Sequence, residues 1–278
     1  MKPAWLNKKI NLKDCAEMKK SLRDLGVETV CEQAMCPNIG ECFSRKVATF
    51  LILGRNCTRS CSFCNIQKAR PLPVDRDEPK RVAQAIYDLG LKHVVITSVT
   101  RDDLSDGGAG IFAQTVICIR EKLPQVKIET LIPDFGLSWD ALKVVIDAKP
   151  DIIAHNLETV PSLYRQVRQG ANYLGSLSLL RMINKMLSGV KIKSGLMLGL
   201  GESQEEVLLV MQDLRSVGCD FLSIGQYLAP SKQHYPVKDY ISPEQFNYYK
   251  EKAGALGFMH IESAPYVRSS YLAAEYLS

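Results

Sequence analysis

Six of the nine cysteines in this chain fall between residues 31 and 64, a window in which even scatter would place about one. They form two triplets, Cys57-x3-Cys61-x2-Cys64 and Cys31-x4-Cys36-x5-Cys42. Thiolates gathered at such spacings are metal ligands, and neither triplet has a further Cys or His close behind it to close a tetrahedral zinc site. Three ligands leave one metal position open. A cubane 4Fe-4S cluster tolerates this, because three irons can be held by cysteine and the fourth chelated by the amino and carboxylate groups of a small molecule. Zinc completed by a distant residue is the other chemistry open to these thiols. Of the other cysteines, Cys118 lies among Val116, Ile117 and Ile119 and Cys219 sits between a helix end and a strand, so both read as small buried hydrophobes. Cys15 has no assigned role.

The triplets must be positioned by something, and past residue 46 the sequence alternates short β-branched runs with longer stretches of helical period. That is the pattern of a parallel sheet wrapped by helices. Strands are expected at Thr49 to Leu53, His93 to Thr97, Lys127 to Leu131, Ile152 to His155, Lys191 to Leu198 and Phe221 to Ile224. Pro79 opens a helix whose Val82, Ile86 and Leu89 share a face and which Gly90 closes. Ser203 and Glu206 make a capping box ahead of Val207, Met211 and Leu214, with Gly218 ending that helix, and Ser242-Pro243-Glu244-Gln245 starts another.

Six βα units make an open partial barrel or a doubly wound sheet, and in either case ligands collect at the carboxyl ends of the strands. Cys57 follows the first strand and Thr97-Ser98 the second. Glu129 belongs to the third, His155-Asn156 with Glu158 to the fourth, and Gly225-Gln226 to the sixth. Together they read as the rim of a site. Asn156 and Glu158 can hold ribose hydroxyls or an amine, whereas His155 reads as a structural histidine. Asp106-Gly107-Gly108-Ala109-Gly110 opens a helix whose amides could approach a carboxylate.

The segment Asn56-Cys57-Thr58-Arg59-Ser60-Cys61-Ser62-Phe63-Cys64 resembles the cluster loop of the radical S-adenosylmethionine superfamily. The second triplet, within Val30 to Cys42, resembles the auxiliary-cluster motif of one subfamily, the lipoyl synthases. The likeness runs along the chain through Lys2-Pro3-Ala4-Trp5-Leu6, Thr97 to Gly108, His155-Asn156-Leu157-Glu158-Thr159, Gly195 to Glu202, and Arg268-Ser269-Ser270-Tyr271-Leu272-Ala273.

The resemblance implies an α/β fold, a partial (β/α)6 TIM-type barrel with N-terminal and C-terminal extensions that carry a second iron-sulfur cluster. Residues 1–46 would be the N-terminal auxiliary-cluster extension, 47–230 the core barrel and 231–278 the C-terminal extension closing that cluster. It further implies two 4Fe-4S clusters, one on Cys57, Cys61 and Cys64 that binds S-adenosylmethionine, and an auxiliary sulfur donor on Cys31, Cys36 and Cys42 with a serine of Arg268-Ser269-Ser270-Tyr271 as a weaker fourth, catalytic ligand, for which Ser270 is chosen and Ser269 is the alternative. Phe63 would lie by the adenine, with Thr97, Ser98, Asn156 and Glu158 as further cofactor contacts.

The implied reaction is radical insertion of two sulfur atoms, at carbons 6 and 8, into a protein-bound octanoyl group. The implied partners are an octanoylated lipoyl carrier (a glycine cleavage H protein or a dehydrogenase E2 lipoyl domain) and a ferredoxin or flavodoxin type reductant. The readings that remain beside it are another radical enzyme such as biotin synthase, and a non-catalytic zinc or iron-sulfur protein.

Composition agrees with a folded enzyme and excludes other classes. The 278 residues are 46% hydrophobic and 23% charged, enough apolar material for a sizeable core, so disorder and a disulfide scaffold are out. A net charge of +5 is too mild for a nucleic-acid partner but suits an acidic one. Lys8-Lys9, Lys19-Lys20 and Arg23 read as a solvated helix face that could meet such a partner. No apolar run reaches the roughly 18 residues of a membrane span, and the start shows no signal peptide, so a cytoplasmic protein is expected.

Overall fold

The computed structural model describes residues 3–7, 12–45, 47–186 and 189–277. Lys2, Lys8 and Lys9 of the motifs above, and the expected boundary at residue 46, lie outside them. The architecture is α/β, and the chain forms two compact units, one from Lys9–Arg59, Asn65–Ile153 and Leu272–Ser278, the other from Met1–Lys8, Ser60–Cys64 and Ala154–Tyr271.

In the first unit β1 (Glu28–Thr29) runs antiparallel to β2 (Thr49–Ile52), while β3 (Asn56–Cys57) pairs in parallel with β4 (Gln67–Lys68). β2 is parallel to β5 (His93–Ser98), which is parallel to β6 (Lys127–Leu131), with Ile52 opposite Ser98 and Thr97 opposite Leu131. All four residues of β2 are buried, as expected of a parallel strand covered on both faces. The helices of this unit are α1 (Leu12–Asp24), α2 (Val30–Gln33), α3 (Ile39–Ser44), α4 (Glu78–Leu89), α5 (Ala109–Lys122) and α6 (Trp139–Asp147). α4 carries Pro79 in its first turn, buries Val82 and Ile86, and ends on Gly90 at φ 64°. Burying a side chain the size of Ile86 contributes about 1.5–3 kcal/mol.

The short strand β7 (Ile152–Ala154) ends the first unit and begins the second. There β8 (Lys191–Leu198), β9 (Phe221–Gln226) and β10 (His260–Ser263) are successive parallel neighbours. The helices are α7 (Tyr164–Val167), α8 (Tyr173–Met186), α9 (Gln204–Ser216) and α10 (Pro243–Ala255). The capping box at α9 forms, with Ser203 Oγ accepting from the Glu206 amide and Glu206 accepting from the Ser203 amide. Ser242 caps α10 through the Gln245 amide.

All six expected strands are present, within two residues at their ends. The tail holds one more strand, β10, beyond the six expected. Its residues His-Ile-Glu-Ser are half-buried apart from Ser263, so neither an apolar run nor a clean alternation marks it.

Candidate functional site

After β2 the chain makes a turn through Leu53 at φ 67° and Gly54 at φ 83°. A leucine in the left-handed region costs free energy and needs to be held there. Glu78, at the start of α4, accepts the Leu53 amide at 2.7 Å, and the buried Arg101 donates to the Leu53 carbonyl at 3.3 Å. The turn feeds β3 and its Cys57, whose Sγ accepts hydrogen bonds from the amides of Arg59 (3.4 Å) and Thr100 (3.3 Å).

Within the second unit the rest of the loop has its own supports. Ser62 donates its amide to the Val167 carbonyl (3.0 Å) and its hydroxyl to the Gln166 carbonyl (2.7 Å), and the Tyr235 amide donates to the Ser62 carbonyl. Phe63 packs on the core of Val167, Leu200 and Tyr227 beside Met197 and Tyr235. Cys57, Cys61 and Cys64 are half-buried.

Asn156 and Glu158 follow β7. Glu158 has φ 69° and is fixed to β8 from both sides, its amide donating to Gly195 and its carbonyl accepting from Met197. Asn156 Nδ2 donates to Glu158 Oε1 at 3.0 Å and to Ser269 Oγ at 2.5 Å, while its Oδ1 is buried with no hydrogen-bond partner among the described residues. Burial raises the Glu158 carboxyl above its ordinary range, against the opposing charge of Arg168 and the bond from Asn156. Ser98 Oγ, at the end of β5, is likewise buried without a partner, whereas Thr97 Oγ1 is taken by the Leu131 carbonyl at 2.8 Å. Each of these orphaned polar atoms is able to take a hydrogen bond from, or give one to, a polar ligand group.

Other rim candidates turn out to be structural. Gln226 donates to the carbonyls of Leu198, Tyr227 and Asp239 and accepts from Ile241, so it is fully used in tying β9 to the tail. Glu129 is buried in mid-strand, 4.0 Å from His93 at the amino end of β5, not on the carboxyl rim. His155 Nε2 faces Ser176 Oγ at 3.0 Å and an Arg168 nitrogen at 3.3 Å. A guanidinium only donates, so Nε2 accepts and the ring proton sits on Nδ1. Asp106 takes the amides of Gly108 (2.9 Å) and Gly110 (2.8 Å), so these two are spent within the chain and not open to a ligand carboxylate. A cavity of about 440 Å³ lined by Val74, Arg76, Lys80 and Ile111 reaches Asp106, Gly108 and Gly110 but none of the six clustered cysteines.

The second triplet lies in the first unit. Cys31 is on α2 and buried, Cys36 follows it, and Cys42 is on α3, the latter two half-buried. Burial pushes the Cys31 thiol up to about 12, with Cys36 and Cys42 acting in the same sense and hydrogen bonds with Thr49 opposing them. The three sulfurs are thus near enough to feel one another's charge, and a bound cationic metal would reverse that penalty. Among the described residues no three His, Cys, Asp or Glu side chains stand at ligating geometry around one metal ion, whereas a cubane spreads its cysteines over separate irons. Ser270 is half-buried, and its neighbour Ser269 is committed to Asn156. Cys219 is fully buried, its thiol raised to about 12 by burial. Cys118 is half-buried on α5 and accepts from Gln114, so it does not fit the buried role expected of it.

Residues 51–214 match the Radical SAM superfamily. The chain is 57% identical to the lipoyl synthase of Citrifermentans bemidjiense, over 99% of this chain and 94% of that protein, and 58% identical to that of Trichlorobacter lovleyi, over 99% and 98%. The chain belongs to the lipoyl synthase family. The family performs radical-mediated sulfur insertion on an octanoyl group borne by a lipoyl carrier, and the superfamily uses a 4Fe-4S cluster with S-adenosylmethionine. The biotin synthase and non-catalytic metal readings fall away. A crystal structure of methylornithine synthase (PylB) is similar in fold, with TM-score 0.58 and 16% identity over 77% of this chain and 70% of that one. Among the described residues no helix of this lipoyl synthase family member is long and apolar enough to cross a membrane.

Proposed function

We propose that this member of the lipoyl synthase family divides its work between two 4Fe-4S clusters. Cys57, Cys61 and Cys64 hold the one that binds S-adenosylmethionine, and Cys31, Cys36 and Cys42 with Ser270 hold an auxiliary one. When bound, these groups supply one-electron cleavage of the cofactor and the sulfur inserted at carbons 6 and 8 of the octanoyl chain. The protein's residues bind, orient and exclude water. Asn156 Oδ1 accepts from a nucleoside hydroxyl, Ser98 Oγ is a second polar contact, Glu158 and Thr97 are further cofactor contacts, and Phe63 packs by the adenine. What most supports the reading is the buried, unpartnered Asn156 Oδ1, whose amide is already oriented by Glu158 and Ser269. A buried carbonyl without a donor costs about 1–3 kcal/mol, which a ligand hydroxyl recovers.

The bond from Asn156 to Ser269 also favours Ser270 as the auxiliary ligand. A serine oxygen is harder than thiolate and poorly matched to a soft cluster, so it detaches more readily when sulfur must leave. On this reading residues 47–230 form the partial (β/α)6 barrel, 1–46 the N-terminal extension with three auxiliary ligands, and 231–278 the extension that brings the fourth. The carrier is a glycine cleavage H protein or a dehydrogenase E2 lipoyl domain, the electrons come from a ferredoxin or flavodoxin, and the setting is the cytoplasm. A tethered acyl chain gives the enzyme contacts remote from the chemistry with which to orient it.

The test is a pair of serine variants assayed on an octanoylated carrier. Ser270→Ala is expected to cleave S-adenosylmethionine yet yield little or no lipoyl product. Ser269→Ala should form product with its KM for S-adenosylmethionine raised about threefold to tenfold through the loosened Asn156. Normal product from Ser270→Ala would remove that residue from the mechanism.

A further inference from the structure

Beside the supports of Cys57, within the first unit, lies an ionic bridge. Arg59, two residues after Cys57, is gripped on two edges of its guanidinium. Nε and Nη2 donate to Asp102 at 3.0 and 2.8 Å, and Nη1 and Nη2 donate to Asp134 at 2.6 and 2.7 Å. Asp102 stands in the loop after β5 and Asp134 in the loop after β6, so one side chain ties the segment after β3 to both. Arg59 is only 13% exposed and Asp134 8%. Paired forks of this kind fix geometry as well as charge.

Thr58 closes the arrangement. Its amide donates to the Thr100 carbonyl at 3.1 Å, its hydroxyl lies 2.8 Å from Asp102 Oδ2, and it accepts from the Asp102 amide at 3.1 Å. The two amides on Cys57 Sγ belong to Arg59 and Thr100, residues that these bonds hold in place.

We propose that Arg59, clamped by Asp102 and Asp134, is a positioning residue that keeps the Cys57 sulfur under two N–H donors and sets the reduction potential of the cluster bound there. The inference rests on the reading of Cys57 as a cluster ligand. One guanidinium against two carboxylates leaves a net charge of −1 beside the loop, which opposes an electron added to a nearby cluster, while N–H···S bonds favour it. Asp134→Asn removes one negative charge and keeps an acceptor oxygen, so the potential rises. Arg59→Gln removes the cation and loosens both amides, so the potential falls.

The experiment uses the full chain with Cys31, Cys36 and Cys42 replaced by Ala, reconstituted anaerobically, with iron counting, redox titration and electron paramagnetic resonance of the reduced cluster. At a fixed potential Asp134→Asn should raise the reduced-to-oxidised ratio about fivefold and Arg59→Gln lower it by a similar factor. Arg59→Lys, which keeps the charge without the fork, should hold iron but show an altered resonance line shape. In the iron-free chain, amide exchange at residues 57–59 should be about tenfold faster in Arg59→Gln than in the parent. Unchanged potentials, or unchanged exchange in Arg59→Gln, would overturn the clamp. A parent that bound no iron would overturn the Cys57 ligand reading, and the tuning with it, while leaving the exchange result to decide the clamp alone.

Discussion

At Cys57 the sulfur accepts two backbone amides, one from a residue 43 positions away, and the residues flanking it are bonded to loops after two further strands. The triplet of Cys31, Cys36 and Cys42 is built from nearby chain instead. The Cys36 amide donates to Cys31, Ile39 to Cys36, and Cys42 to Asn38, with Met35 at φ 51° in the bend between them. Cys57 is held by distant parts of the fold, the second triplet mainly by local turns, by burial of Cys31 and by its hydrogen bonds with Thr49. That contrast suits the proposed division of labour: a site that keeps its metal through every turnover gains from many remote supports, and one that surrenders sulfur and is rebuilt needs fewer.

The largest effect should come from the cysteines themselves. Cys57→Ala is expected to reduce S-adenosylmethionine cleavage to background, measured as 5′-deoxyadenosine, whereas Cys31→Ala should leave cleavage measurable. Equal losses from both would erase the functional side of the contrast.

Next is the turn that launches the first triplet. Gly108 sits at φ 91°, and a Cβ there would come within 2.2 Å of Leu53 Cδ1. Gly108→Ala should destabilise the chain by about 2–4 kcal/mol in urea unfolding, through backbone strain and overpacking together. A loss near zero would mean the Leu53 turn yields freely and is not a rigid support.

Asp151 offers a control remote from either triplet. Burial raises its carboxyl, but Lys127, the Ile128 amide and Arg120 outweigh that and hold it below its ordinary value. A carboxyl depressed in the folded state stabilises above its unfolded pKa of about 3.9, and that stability is lost as pH falls through the folded value. Asp151→Asn should therefore cost about 1–2 kcal/mol at pH 7 and flatten the acid limb of the stability curve below about pH 4, without changing the iron content of either triplet.

The smallest effect belongs to the local bend of the second triplet. Met35 is 68% exposed and held at positive φ, so Met35→Gly should stabilise the chain by up to about 1 kcal/mol by removing left-handed strain. A loss of stability would show the Met35 side chain to be a support of the auxiliary triplet after all.

The cysteine spacings, the six strands and the caps at Ser203 and Ser242 were legible because each is a local signal of ligand count, apolar run or turn chemistry. The Arg59 bridge was not. Asp102 and Asp134 lie 43 and 75 residues from it, and only the parallel order of β2, β5 and β6 brings their loops together. The same holds for Gln226, which looks like a rim residue by position and is spent on carbonyls of its own tail, and for Glu129, whose place beside His93 depends on how β5 and β6 pair. Cys118 misled for another reason: its apolar neighbours in sequence say nothing about which face of α5 it occupies.

The division of labour between the triplets is tested most directly by the chain in which Cys31, Cys36 and Cys42 are all replaced by Ala, reconstituted and supplied with reductant, S-adenosylmethionine and an octanoylated carrier. Iron should fall from about eight to about four per chain, 5′-deoxyadenosine should still form, and the carrier should gain no sulfur. Sulfur on the carrier from this variant, or iron still near eight, would contradict the account.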